Sequence, residues 1–206
     1  MSIKVIEGLT GVVLAGGEAR RMGRINKALV TVGGVPVIDH ILARLAETCA
    51  HVMVIANDPA PYAERGLEVH GDVMPHHAAL GGIYTALLKA PTEHVFVCAC
   101  DMPFLSAPLI RHLSYALDGH DAAVPRDAYG LQPLHAIYAR RIAPVLHPFL
   151  LRGELKLEKV IAALDARILP PAEVEPYAAE ANIFFNVNTP ADLEQARRQA
   201  GYPGEP

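Results

Sequence analysis

Gly11-Val12-Val13-Leu14-Ala15 runs straight into Gly16-Gly17, and this stretch decides the fold. A short apolar run closed by glycines has the length of a strand and is apolar on both faces. Strands of that kind belong to the parallel sheet of an α/β protein, where helices cover both sides. Downstream, Ile38, Ile41, Leu42, Leu45, Ala46 and Cys49 recur with helical spacing, and Pro36 stands at the start of that helix. His51 to Ala56 reads as a second buried strand, and Leu67 to Gly71 as a short one. Gly81 and Gly82 precede a helix carrying Ile83, Ala86, Leu87 and Ala90 on one face. Val95 to Cys100 is the next strand, and Ser106 reads as the N-cap of a helix reaching Leu117. Strand and helix alternate in this way over residues 9–118, which predicts a doubly wound, mostly parallel α/β sheet in a single domain.

The last third is less regular. Asp121 to Pro125 and Pro133 to Tyr138 read as strands, and Arg140 to Leu164 as helix interrupted near Pro148 and Gly153. Pro170 to Asn182 has loop composition, and Phe184 to Val187 reads as a strand. Thr189-Pro190-Ala191-Asp192 has the residues of a capping box with proline at the first helical position, predicting a final helix to about Gln199. The chain has 206 residues, enough for one such domain with a sizeable core. Eighteen basic and 22 acidic residues leave a formal charge of −4, which argues against a protein that grips nucleic acid by charge. No apolar run approaches the ~18 residues of a membrane span, and no signal-like apolar core precedes the first strand. Three cysteines (Cys49, Cys98, Cys100) have neither a disulfide framework nor zinc spacing, and Cys98 and Cys100 read as core sulfur. The expectation is a soluble, cytoplasmic protein with reduced thiols.

Ligands of open α/β sheets bind beyond the carboxyl ends of the strands. Three segments carry polar residues there. Gly16 and Gly17 open a loop that contains Arg21 and ends at Lys27. Glycines let backbone N–H groups approach phosphate closely, and the cations add charge where a phosphoryl group turns more negative. The loop matches neither the Walker pattern nor G-x-G-x-x-G; a solvated basic turn is the competing reading. Cys100-Asp101-Met102-Pro103 brings a lone carboxylate out of an apolar strand, a position suited to Mg²⁺ and equally to capping the following helix. Asn186-Val187-Asn188 places two amides two residues apart, able to bind a phosphate, a pterin edge or a metal, or simply to shape the turn before the last helix.

Taken in order, these segments resemble the molybdenum cofactor guanylyltransferases, the MobA-type proteins of the nucleotidyltransferase superfamily. The resemblance runs from about Gly11 to Leu193 and rests on the signature LAGGxxxRMGxxKAL at Leu14–Gly17, Arg21–Gly23 and Lys27–Leu29. Gly34-Val35-Pro36, Gly71-Asp72, Leu80-Gly81-Gly82, Cys100 to Pro103, Gln132-Pro133-Leu134 and Asn186 to Pro190 follow in the family's order. It implies a Rossmann-like fold of the nucleotide-diphospho-sugar transferase kind, with a nucleotide part over about 9–118 and an acceptor part over about 119–200. The implied reaction is transfer of GMP from GTP to molybdopterin-bound molybdenum, with release of pyrophosphate. Carried over, Leu14, Ala15, Gly16 and Gly17 would bind GTP through the loop backbone. Lys27, with Arg21 beside it, would contact the phosphates. Asp72 would read guanine, Asp101 would hold Mg²⁺ and nucleotide, and Asn186 and Asn188 would complete the site. Implied partners are the molybdenum cofactor and the chaperones or insertion proteins of molybdoenzymes, not nucleic acid or membrane. Ile55 departs from the pattern, standing where relatives carry a nucleotide-binding Asn, with Asn57 two residues on. Ala78-Ala79 departs too, where Gly-Pro often precedes that leucine. A related transferase using CTP or a sugar phosphate is one alternative. Leu14-Ala15-Gly16-Gly17 and Asn26-Lys27 disfavour it, since those relatives more often carry Leu-Ala-Ala-Gly and Pro-Lys. A non-catalytic nucleotide-binding module is another, disfavoured by the pairing of Lys27 with Asp101.

Overall fold

The computed structural model describes residues 5–16, 26–178 and 182–201. The first strand, β1 (Ile6–Leu14), leads to the small ribbon β2 (Thr31–Val32) and β3 (Val35–Pro36), then to helix α1 (Val37–Ala46) and β4 (Cys49–Ile55). Next come β5 (Glu68–His70), α2 (Ala78–Lys89), β6 (His94–Ala99) and α3 (Ala107–Leu117). The remainder is β7 (Ala122–Asp127), β8 (Gly130–Leu131), β9 (His135–Ala139), α4 (Ala143–Leu151), α5 (Leu157–Ala162), β10 (Ala166–Leu169), α6 (Pro171–Ala178) and α7 (Pro190–Gln199).

The main sheet has the order β10-β7-β9-β6-β1-β4-β5, with β8 paired to β7 at the margin. β1 lies parallel to β4 and β6, β4 parallel to β5, and β7 parallel to β10, while β9 runs antiparallel between β6 and β7. The doubly wound, mostly parallel α/β reading therefore holds, with β9 reversed inside the sheet and the two-residue β8 antiparallel to β7 at its margin. Because β9 reverses twice, the carboxyl ends of β7 and β10 share an edge with those of β1, β4, β5 and β6. β1 is central because both its faces are apolar. Leu9 and Val13 join one core with α1, α3 and α7, and Val12 joins the other with α2, α4 and α5. Neighbouring strands divide their residues in the same way, Val54, Phe96 and Cys98 to one side and Met53, Val95 and Val97 to the other.

Several local expectations need correction. Pro36 is the cap before α1, not its first residue, and Cys49 opens β4 instead of ending the helix. Gly81 and Gly82 lie inside α2, which starts at Ala78. Pro148 sits within α4, so the interruption falls only at Gly153, whose φ of 67° is left-handed. Residues 171–178 are helix, not loop: Pro171 stands in the first turn, where a missing N–H is harmless, and Val174 anchors the helix on the core. Phe184 to Val187 pairs with no strand among the described residues. Ile183, Phe184 and Val187 are buried, so core-facing residues in a turn imitated a strand pattern. The Ser106 cap and the Thr189 capping box form as the sequence predicts.

His135 is a buried group that the fold tolerates only when neutral. It is fully enclosed, neither ring nitrogen has a hydrogen-bond partner among the described residues, and Phe96 and Phe184 meet it edge-on with centroids at 5.2 Å. Burial pushes its pKa down to about 3 from the ordinary 6.5. The unfolded chain therefore binds the extra proton first, and stability is lost as pH falls below about 6.5. At about 1.4 kcal/mol per pH unit, two units of acidification remove roughly 3 kcal/mol. His135→Leu should flatten this acid limb in urea unfolding between pH 7 and 4.5; an unchanged slope would show that other groups govern it.

Candidate active site

β1 is followed in sequence by its neighbour β4, then β5, before the chain crosses back to place β6 on β1's other side. That reversal makes β1 the switch point of the sheet, and open α/β sheets bind ligands at the carboxyl ends of the strands there. The strand ends are tied there. Ala15 N donates to Ile55 O at 2.9 Å, and Cys100 N donates to Leu14 O at 3.1 Å. Leu14 O and Ala15 N are thus spent on the sheet, and a set of N–H groups facing phosphate would begin at Gly16. Gly17 and Arg21 lie outside the described residues.

Lys27 opens a short 3₁₀ turn capped by Asn26, whose side-chain oxygen accepts from Ala28 N at 3.1 Å. Its ammonium donates to Asn188 Oδ1 at 2.5 Å and lies 3.5 Å from Asp101 Oδ2. Residues 27, 101 and 188 therefore meet, although 74 and 161 positions separate the pairs. Asp101 is positioned from both sides of the chain: β6 delivers it, and its backbone oxygen accepts from Val187 N at 2.9 Å. Its carboxyl pKa is raised by burial, against the opposing charge and hydrogen bond of Lys27. Oδ1 of Asp101 is buried without a hydrogen-bond partner among the described residues. A buried, unmatched carboxylate oxygen is costly, and a cation would satisfy it. The other predicted amide behaves differently: Asn186 Nδ2 donates to Phe184 O at 3.0 Å, within its own turn.

Asp72, beyond β5, sits in a second cluster. Its Oδ1 accepts from Met74 N at 2.9 Å and from Thr85 Oγ1 at 2.8 Å, and Asn57 Oδ1 accepts from Asp72 N at 3.0 Å. With two donors already on Oδ1, the oxygen left for a base edge is Oδ2. Ile55 is buried and faces the core, so Asn57 is the polar residue of this strand end. The loop from Asp72 into α2 is tight: His76 and Ala78 adopt left-handed backbone with φ of 68° and 49°. Thr85 escaped the sequence reading because nothing in its spacing ties it to Asp72. Yet it is fully buried and also accepts from Val73 N at 3.0 Å.

The fold matches known proteins. Residues 11–168 match the family model described as a MobA-like NTP transferase domain. The chain belongs to that family. It is 31% identical over 192 residues to the molybdenum cofactor guanylyltransferase of Desulfosudis oleivorans, covering 93% of this chain and 95% of that one. It is 35% identical over 191 residues to the probable molybdenum cofactor guanylyltransferase of Pelotomaculum thermopropionicum, covering 93% of each. The crystal structure of molybdopterin-guanine dinucleotide biosynthesis protein A from Archaeoglobus fulgidus superposes with a TM-score of 0.80 at 27% identity, over 93% of this chain and 98% of that chain.

Gly81 is where this MobA-like domain leaves no room. A Cβ there would lie 2.7 Å from Met74 O and 2.8 Å from Asp72 Oδ2, whereas at Gly82 it would meet only Leu14 side-chain carbons at 3.1 and 3.2 Å. Gly81→Ala should displace the Asp72 carboxylate and cost about 1–3 kcal/mol, while Gly82→Ala, partly offset by better helix propensity, should stay close to wild type. Paired thermal melts check this. Equal melting temperatures for the two variants would mean that the 72–81 contact yields without cost.

Proposed function

We propose that this chain transfers GMP from GTP to the molybdopterin-bound molybdenum cofactor and releases pyrophosphate. The observation that carries the proposal is the Lys27–Asp101–Asn188 meeting at the carboxyl edge of β1 and β6, in a chain whose relatives over nearly its full length are named for this reaction. GTP and the molybdenum cofactor are then its two substrates.

A terminal phosphate oxygen of the pterin attacks the α-phosphorus of GTP. The new P–O bond forms as the bond to the β-phosphate oxygen breaks, and pyrophosphate leaves with the electron pair. The attacking phosphate is already an anion at neutral pH, so no general base is needed. What the reaction requires is positioning and charge stabilisation. Lys27 supplies a fixed positive charge beside the phosphates, oriented by Asn188. Arg21 adds a second one, and the N–H groups from Gly16 and Gly17 cradle phosphate oxygens. Asp101 would hold Mg²⁺ through its unmatched Oδ1, which suits a metal that takes few carboxylates and otherwise substrate phosphates and water. When bound, that ion neutralises charge on the α- and leaving phosphates. Asp72 offers Oδ2 to the N1–H or N2–H of guanine, and Asn186 frames the acceptor side through its turn. Handover of the product to chaperones or insertion proteins of molybdoenzymes, in the cytoplasm, completes the reading. Among the described residues no helix is long and apolar enough to cross a membrane.

The test is pyrophosphate release with GTP and Mg²⁺, with and without molybdopterin. Release should depend on the acceptor. Asp101→Asn should fold normally and lose Mg²⁺-dependent turnover; wild-type turnover would remove Asp101 from the mechanism. In nucleotide titrations, Asp72→Asn should lose about ten- to hundredfold in GTP affinity, the worth of one charge-assisted hydrogen bond, and so flatten the preference over ATP and CTP. Lys27→Ala should weaken all three together. A full GTP preference in the Asp72 variant would assign guanine recognition to other groups.

A further inference from the structure

Asn188, the residue that grips Lys27, is itself held by a side chain with no place in the reaction described above. Asp192 stands in the first turn of α7 and accepts twice through a single oxygen: Asn188 N donates to Oδ2 at 2.9 Å and Thr189 N at 2.8 Å. The reverse bond, Asp192 N to Thr189 Oγ1 at 3.2 Å, completes the capping box. A capping box needs only the Thr189 pair of bonds. The bond from Asn188 N is additional, and it fixes the backbone of the residue whose Oδ1 takes the Lys27 ammonium at 2.5 Å. One residue earlier, Val187 N donates to Asp101 O at 2.9 Å. Residues 187 and 188 are thereby pinned from both sides, and their side of the site is built on the start of α7. Burial acts to raise the Asp192 carboxyl pKa. The N–H groups of Asn188 and Thr189, the Thr189 hydroxyl and the Lys27 charge outweigh it and hold the group below the usual carboxylate range, so it is ionised at neutral pH.

We infer that Asp192 is a positioning residue for nucleotidyl transfer, acting through Asn188 to hold Lys27 at the phosphate site. The inference rests on the reading of Lys27 and Asn188 given above. A hydrogen-bonded loop can keep an ammonium in one place while a phosphate is transferred. A loop released at residue 188 leaves the long Lys27 chain free to sample other rotamers, and small misplacements of a charged group are costly to turnover.

Thr189 separates this role from helix capping. Thr189→Ala removes the other half of the capping box and leaves the Asn188 N bond in place. Thr189→Ala and Asp192→Ala should lower the melting temperature by a similar few degrees. Asp192→Ala should also lower kcat for pyrophosphate release at least tenfold, while Thr189→Ala stays within about twofold of wild type. Asp192→Asn keeps an acceptor oxygen and should recover most of the turnover. Because Asp192 acts through Asn188, the Asp192→Ala/Asn188→Ala double variant should be no slower than Asn188→Ala alone. Equal kcat losses in Thr189→Ala and Asp192→Ala would reduce Asp192 to a helix cap. Losses that multiply in the double variant, or an Asp192→Asn protein as slow as Asp192→Ala, would place its effect on another route and overturn the inference. An Asp192→Ala protein with normal kcat beside a slow Asn188→Ala protein overturns the inference alone. A normal kcat in Asn188→Ala removes the reading of Lys27 beneath it, and the inference with it.

Discussion

The site turns on an ionisable carboxyl group held where water barely reaches. Asp101 leaves the end of β6 with one oxygen facing Lys27 and the other buried without a partner among the described residues. Desolvation favours its neutral form, and the Lys27 charge beside it opposes that. Neither could stand there alone at low cost. A buried acid without its cation takes up a proton, and an ammonium without its acceptors on a half-buried stem has no reason to stay. The balance leaves Oδ1 without a hydrogen-bond partner among the described residues.

The pair comes together only because distant segments are tied to the sheet. β1 and β6 are adjacent and parallel, so the loops that leave them start side by side. The stretch before α7 then closes over both, with its backbone on Asp101 and its Asn188 side chain on Lys27. The buried Phe184 and Val187 anchor this stretch, and His135 packs beneath Phe184. The C-terminal part of the chain is thus structural support for a charged pair that comes from the N-terminal half. A helix cap is an economical support, since Asp192 serves the start of α7 and the Asn188 backbone with the same oxygen.

The parallel sheet was legible because its strands are buried on both faces and read as plain apolar runs, β1 and β6 above all. Asp101 stood out as a residue left polar directly beyond such a run, and Lys27 as a cation at the end of the glycine-opened loop after β1. What stayed hidden depends on tertiary contact. The turn at Phe184–Val187 carries the pattern of a strand because the core, not a neighbouring strand, buries its side chains. The helix Pro171–Ala178 has the composition of a loop because little more than Val174 turns inward, and two prolines fall where a short helix can bear them. Asp192 could be read as a cap from its spacing to Thr189, but its hold on Asn188 could not, since any capping box would look the same in sequence. Thr85 gave no signal, because its partner Asp72 lies 13 residues away across a loop in left-handed backbone.

The two clusters at the sheet edge are built on different scaffolds, and this has a consequence for how the protein can vary. Lys27, Asp101 and Asn188 rest on β1, β6 and α7, whereas Asp72 rests on the first turns of α2 through Thr85 and the absence of a side chain at Gly81. No hydrogen bond among the described residues links one cluster to the other directly; they share β1, whose Leu14 packs on Gly82 and whose end carries the glycine loop. Changes in the α2 cluster can therefore reshape the surroundings of Asp72 without disturbing the Lys27–Asp101 pair. At the end of β4 the Ile55 side chain lies in the core, and Asn57 holds the Asp72 backbone from two residues further on. Coulomb forces constrain the Lys27–Asp101 pair far more tightly, because removing either charge leaves the other without its counterpart.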